Sequence, residues 1–171
     1  MFEPAVGRTL EIQRALSLPQ LSSGDPRSLR NKGAMVETVQ ARGLAAPRTV
    51  AGTDADDVVA RALAALPMPV VVKPSELAGK AGVKLVRDRA DLHAAVTAAL
   101  AETLPFEIDG KPTSVVEIFG CERGVLVQEY VDGPEFSIEG WASQGRPRVL
   151  AVTEQIHSGP PLFDELGHLQ P

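Results

Sequence analysis

A single cysteine, Cys121, stands in 171 residues, so no disulfide can form within the chain. Positive charge is also short: 17 Lys and Arg face 22 Asp and Glu, for a net charge of −5. Nucleic-acid binding needs a basic footprint, so that class is excluded. No apolar run approaches the ~20 residues that cross a bilayer, so no membrane partner is expected. The opening residues, MFEPAVGRTLEIQ, lack both the basic start and the continuous apolar stretch of a signal peptide. With one thiol and no leader, a cytoplasmic setting is expected. Internal repeats and long low-complexity segments are missing too. What remains is a 44% hydrophobic, 23% charged composition, ordinary for a globular protein with one core or two small lobes.

The elements can be read from periodicity. Val6, Leu10 and Leu16 allow a helix before the turn-rich SLPQLSSGDP. Asp25 can cap a helix with Pro26 at its first position; Leu29, Val36 and Val39 share a face, and Gly43 ends it. A short strand at APRTV follows. Thr53 with Asp56 resembles a capping box for a helix that turns Val58, Val59, Ala62, Leu63 and Leu66 inward. Pro69 introduces Val70–Val72, an apolar run of the kind buried on both faces of a sheet. Asp88 and Asp91 bracket the next helix start, with Leu92, Val96 and Leu100 at i, i+4, i+8. Beyond residue 103, VVEIF, VLVQEY, FSIEGW and RVLAVTEQ are expected as short strands. In FSIEGW, alternation puts Phe136 and Ile138 on one face and Ser137, Glu139 and Trp141 on the other. An α+β architecture in two lobes follows, with a hinge near Val131 and Gly133.

Two segments carry chemistry. In VVVKPSELAGKAGVKLV, Lys73 ends a buried strand and projects an ammonium from a rigid base. Gly79 and Gly82 lack Cβ, so the chain between them can fold over a phosphate with its N–H groups exposed, and Lys80 adds charge. A β-turn joining two strands, with Lys80 solvated, fits the same residues. A GxxxxGK[ST] phosphate loop does not: Pro74 and Ala81 stand at its first and last positions. In VLVQEYVDGPEFSIEG, backbone groups at a strand edge can pair with an adenine. The Gln128 carbonyl can accept from the exocyclic amine, and the Glu135 carboxylate can bind two ribose hydroxyls. A charged β-hairpin without ligand is the plain alternative.

Taken in order, RNKGAMVETVQARGLAAP, PVVVKPSELAGKAGV and VLVQEYVDGPEFSIEG resemble the ATP-grasp superfamily, nearest to its carboxylate–amine ligases. The resemblance covers roughly residues 29–155. It implies two α/β lobes, subdomains A and B, with the nucleotide cleft between them. Residues 1–24 would be a remnant of a preceding domain or a linker, and 25–171 a partial grasp domain. The latter divides into a helical lead-in (25–68), a flap-bearing lobe with its linker strand (69–130) and the start of the C-terminal lobe (131–171). Lys32 and Lys73 look like the two ATP-contacting lysines, the second reaching the α- or β-phosphate. Ser75–Gly82, with Gly79, Lys80 and Gly82, looks like the flap over the phosphates. Gln128, Glu129 and Val131 look like the adenine linker, the last two through backbone, and Glu135 like the ribose contact. The implied cofactors are ATP and Mg2+, and the implied substrates a carboxylate and an amine joined through an acyl-phosphate. A catalytically inactive nucleotide-binding module is the alternative the same residues allow, and a non-functional truncated remnant is another.

The sequence departs from the family's pattern in places. Leu77 and Lys80 stand where the subgroup has small hydroxyl residues, and Gln128 where many members have Glu. The family's magnesium-binding Glu and Asn have no counterpart; Asp164 and Glu165 do not match. The expectation is therefore a C-terminally truncated piece with an open sheet edge, inactive alone, inclined to self-association or to pairing with a C-terminal partner chain. His93 is expected on a helix surface, and His157 and His168 in a loop that faces the acceptor substrate in relatives. No two histidines are spaced like a metal site.

Overall fold

The structure, a computed structural model, describes residues 5–19, 25–143, 145–159 and 165–170. The chain divides into two compact units, Met1–Tyr130 and Val131–Pro171. In the first, helix α1 (Val6–Ala15) buries Leu10. The expected helix from Asp25 to Gly43 is interrupted. Asp25 caps only a 3-10 turn, Pro26–Leu29, and α2 (Lys32–Ala41) starts afresh. The reason is Asn31, whose side-chain oxygen accepts from Gly33 N and Ala34 N. That cap leaves its own residue extended, which breaks the helix upstream.

Strand β1 (Thr49–Gly52) leads to α3 (Ala55–Ala65). Its cap is Asp54, bonded to Asp57 N, and not the expected Thr53. Strand β2 (Val70–Pro74) alternates: Val70 and Val72 are buried and Val71 half-buried, so it is not fully buried on both sides as expected. After the loop come β3 (Lys84–Val86), a 3-10 turn (Arg89–Asp91) capped by Asp88, and α4 (Leu92–Ala101). A hairpin of β4 (Pro105–Ile108) and β5 (Lys111–Ser114) follows, turning at Asp109-Gly110 with both φ positive. The expected strand at VVEIF is instead helix α5 (Val115–Phe119). Ser114 accepts from Glu117 N, and Gly120 ends the helix in the left-handed region. Strand β6 (Val125–Glu129) completes an antiparallel sheet in the order β1-β6-β2-β3.

Register divides the sheet's faces. Val72 lies opposite Val127 and Val50 opposite Val127, which puts all three on one side with Val70, Val86 and Val125. That side meets α3 and α4 in the core, through Val58, Ala62, Leu92, Val96 and Ala99. The other side carries Thr49, Ala51, Val71, Lys73, Leu126 and Gln128. α2 packs over part of it: a Cβ on Gly33 would sit 3.2 Å from Ala51 Cβ.

The second unit is a three-stranded antiparallel sheet, β7 (Glu135–Ser143), β8 (Arg146–His157) and β9 (Glu165–Leu169). Phe136 and Ile138 share a face, as expected, and both are exposed, as is Val152 opposite Ile138. Thr153 is buried and accepts from Gln170 Nε2 at 2.8 Å.

Candidate functional site

Lys73 is the fourth residue of β2, opposite Leu126, and Gln128 lies opposite Val71 two positions along. Lys73 and Gln128 are therefore diagonal neighbours on the sheet face turned away from the core, about 7–8 Å apart between backbones. The alternation that buries Val70 and Val72 is what delivers Lys73 to this face. Gln128 Nε2 donates to Thr49 Oγ1 at 2.8 Å.

Glu129 belongs to the core-side register but sits at the sheet's end, where Arg48 holds it. Arg48 N and Nε donate to its two oxygens at 2.8 and 2.7 Å. The backbone hydrogen bond from Arg48, then the side-chain one, hold its carboxyl below the usual range. Its side chain is thus committed to Arg48, and its backbone N–H also donates to Arg48 O at 3.0 Å. Because the folded-state value is depressed, the stabilisation is present above about pH 4.5 and is lost as pH falls through the lowered value. The stability difference between the native chain and Glu129→Gln is expected to be constant from pH 8 to about 5 and to shrink below about 4.5, read by denaturant titration.

Beyond β2 the loop is built from the buried Leu77. Leu77 stands where a flap hydroxyl was expected; the structure makes it an anchor in the core, so its side chain is not a phosphate contact. Gly79 and Lys80 both have positive φ, +64 and +63, and Ala81 N donates to Ala78 O, a tight two-residue turn that puts Lys80 at an exposed tip. Gly82, at φ +69, is hemmed in: a Cβ there would come 2.8 Å from Pro74 Cγ. Gly82→Ala is expected to destabilise the first unit by about 1–2 kcal/mol from the left-handed backbone alone, with the clash adding to it, as a fall in thermal midpoint.

Lys32 opens α2, and its two ends bind the loop: its N–H donates to Ser75 O at 2.9 Å and Nζ to Leu77 O at 2.6 Å. Lys32 and the loop thus meet at the end of the sheet away from Gln128. Beside them opens a polar cavity of about 170 Å³, lined by the α2 start, Gly52, Thr53, Ser75 and Gly124. Ser75 follows Lys73 by two residues, so Gln128 and this cavity lie about 13 Å apart along the sheet, at about 3.4 Å per residue.

Several polar residues fasten this end. Asn31 Nδ2 donates to Glu76 and Glu122, both at 3.3 Å, and Glu122 N donates to Glu76 at 3.0 Å. Cys121 lies 3.5 Å from the buried Arg30. Burial pushes its thiol up despite that cation, the opposite of the lowered value that activates a cysteine nucleophile.

In the second unit, Val131 is exposed and Glu135 begins β7. His157 was expected in a loop but ends β8; its Nε2 lies 2.8 Å from Glu135 Oε2, a close polar contact without hydrogen-bond alignment. His168, also expected in a loop, lies in β9, 3.0 Å from Glu165. His93 is exposed on α4, as expected, 2.9 Å from Asp56. Among the described residues no group of three or more His, Cys, Asp or Glu is placed to hold a metal, and no helix is long and apolar enough to cross a membrane. Asp164 lies outside the described residues.

What sequence reasoning missed is Thr49 and Arg48. Both act across the β1–β6 pairing, and no local pattern signals a contact between positions 79 and 81 residues apart.

Comparison with known proteins gives consistent results. Residues 66–171, more than half of the chain, match the family described as the ATP-grasp domain. An uncharacterized protein of Sinorhizobium fredii, y4rH, is 31% identical over 165 residues, 95% of this chain and 30% of that protein. The fold is similar to that of an L-amino acid ligase from Bacillus licheniformis, with TM-score 0.69, 28% identity, and coverage of 99% of this chain and 35% of that one. It is also similar to the VanG D-Ala:D-Ser ligase from Enterococcus faecalis, with TM-score 0.70, 19% identity, and coverage of 97% and 44%. This chain thus spans well under half the length of each of these relatives.

Proposed function

Because the chain belongs to the ATP-grasp domain family, we propose that it binds ATP as part of an ATP-dependent carboxylate–amine ligase. The observation that carries this is the shared sheet face: Lys73 and Gln128 stand side by side on it, with the Gly79–Gly82 turn and Lys32 at its far end. A nucleotide laid along that face would meet Gln128 with its base, and Lys73, Lys32 and the flap with its phosphates. The lysines supply positive charge and the turn supplies backbone N–H groups, which together hold an anion in place.

The reaction proposed for the whole enzyme has two steps. A substrate carboxylate oxygen attacks the γ-phosphorus, forming the acyl–O–P bond as the bond to the β-phosphate oxygen breaks and ADP leaves. An amine then attacks the acyl carbon, loses a proton, and expels inorganic phosphate to give an amide. Lys73 and Lys32 would hold the phosphates and neutralise charge that builds on the bridging oxygen. Magnesium, when bound, shields the phosphate oxygens. Since the described residues form no cluster to hold it, no role here is assigned to a metal ligand of this chain.

A nucleotide series tests the reading. Thermal midpoints should rise saturably with ATP and ADP in magnesium, less with AMP and least with adenosine, because the lysines and flap act on phosphates. A chain that stays folded and responds equally to all four, or to none, would overturn it.

A further inference from the structure

The two ends of a glutamine amide are nearly identical in shape, so Gln128 could in principle present either its carbonyl or its NH2 to a ligand. The structure removes that freedom. Thr49 lies directly opposite Gln128 in the β1–β6 ladder. A hydroxyl has one proton, and Thr49 Oγ1 donates it to the carbonyl oxygen of Pro47 at 2.9 Å. Towards Gln128 it can therefore only accept, and Nε2 stands 2.8 Å away to donate. With the amide turned over, Oε1 would face an oxygen that has no proton left to give, and two lone pairs would repel. The NH2 end is held at Thr49, and the carbonyl end is left as an acceptor.

We infer that Thr49 is the specificity-determining partner of Gln128: it locks the amide as an acceptor and so selects a purine with an amino group at position 6 over one with a carbonyl there. This rests on Gln128 as the base contact of the proposed ATP site. A carboxylate at position 128 would be an acceptor whatever its neighbours. A glutamine is an acceptor only if its other end is occupied, and an amide free to rotate would accept from a 6-amino purine or donate to a 6-oxo purine with similar ease. Thr49 touches no ligand in this scheme; it is a positioning residue whose effect passes through Gln128, and Pro47 O takes part by consuming the hydroxyl proton. The Thr49 side chain is β-branched in a strand, so valine is close to isosteric and keeps the local preference for extended backbone.

The test is the ratio of ATP affinity to ITP affinity, since the two differ at position 6, measured by calorimetric titration of the full chain. Thr49→Val should lower that ratio by about tenfold, chiefly by improving ITP binding as the amide turns over. Thr49→Ser, which restores the hydroxyl, should restore the ratio, an outcome that a role limited to packing would not produce. Thr49→Ala repeats the test should the valine variant fold poorly, and thermal midpoints of all variants are read alongside. An unchanged ratio in Thr49→Val or Thr49→Ala overturns the inference. Gln128→Leu separates the two levels of the argument. If it collapses the ratio while Thr49 variants do not, Thr49 is not the determinant but Gln128 still contacts the base. If the ratio survives Gln128→Leu, the base contact is elsewhere and the inference falls with it.

Discussion

Leu92→Ala is expected to destabilise the first unit by about 2–5 kcal/mol. Leu92 is 1% exposed and begins α4, packed into the cluster that joins α3 and α4 to the sheet. Truncation removes the transfer free energy of its side chain and leaves a cavity between rigid neighbours. Val58, Val72, Val96, Val125 and Val127, all fully buried and β-branched, have few alternative rotamers with which to fill it. All described helices fall within residues 1–130, so the helical circular-dichroism signal reports this unit's unfolding. The denaturant midpoint should fall with little change in slope. Leu150→Ala, at a position 71% exposed, is the control and should shift stability by no more than about 0.5 kcal/mol.

Lys73→Ala is expected to weaken ATP binding by about tenfold to a hundredfold, the equivalent of a charge-assisted contact worth about 1.5–3 kcal/mol. Lys73 stands on a strand paired on both sides, by β3 and by β6, so its backbone cannot shift to let another group substitute. It is half-buried, where water screens charge less than at the surface. Lys80 is the contrast. It rides on the exposed tip of the loop, where water and salt screen its charge, and Lys80→Ala should cost well under tenfold at physiological salt. Lys73→Arg keeps the charge but changes its shape from a compact ammonium to a planar fork, and partial recovery is expected.

The parts of the fold that were legible in the sequence are those set by local chemistry and strong periodicity. Val58, Ala62 and Leu66 point inward because the 3.6-residue repeat leaves them no other face. Gly43 ends α2 at φ +72, as a C-terminal glycine should. Errors arose where two local signals competed. VVEIF has the composition of a strand, yet the Ser114 hydroxyl caps it by accepting from Glu117 N, and Gly120 closes a helix only five residues long. The stretch after Asp25 reads as one helix until Asn31 is weighed as a second cap. The β4–β5 hairpin had a sound signal, Asp109-Gly110 between two extended runs, which outward-facing side chains made easy to overlook. In the candidate site, Lys73 at the end of the apolar run Val70–Val72 was legible, but the face it takes was not, because three valines in a row carry no alternation of their own. The partners of Gln128 and Glu129 were not legible. Thr49 and Arg48 reach Gln128 and Glu129 only when β1 docks against β6, and four other strands, β2 to β5, lie between β1 and β6 in the chain.

The most direct test of the account is calorimetric titration of ATP, with magnesium, into the native chain and into Lys73→Ala side by side. The account predicts saturable binding of one nucleotide per chain, weakened by tenfold or more, roughly, in a variant that keeps the native circular-dichroism spectrum and thermal midpoint. A folded native chain that gives no saturable heat with ATP, or a Lys73→Ala variant that binds ATP as tightly as the native chain, would contradict it.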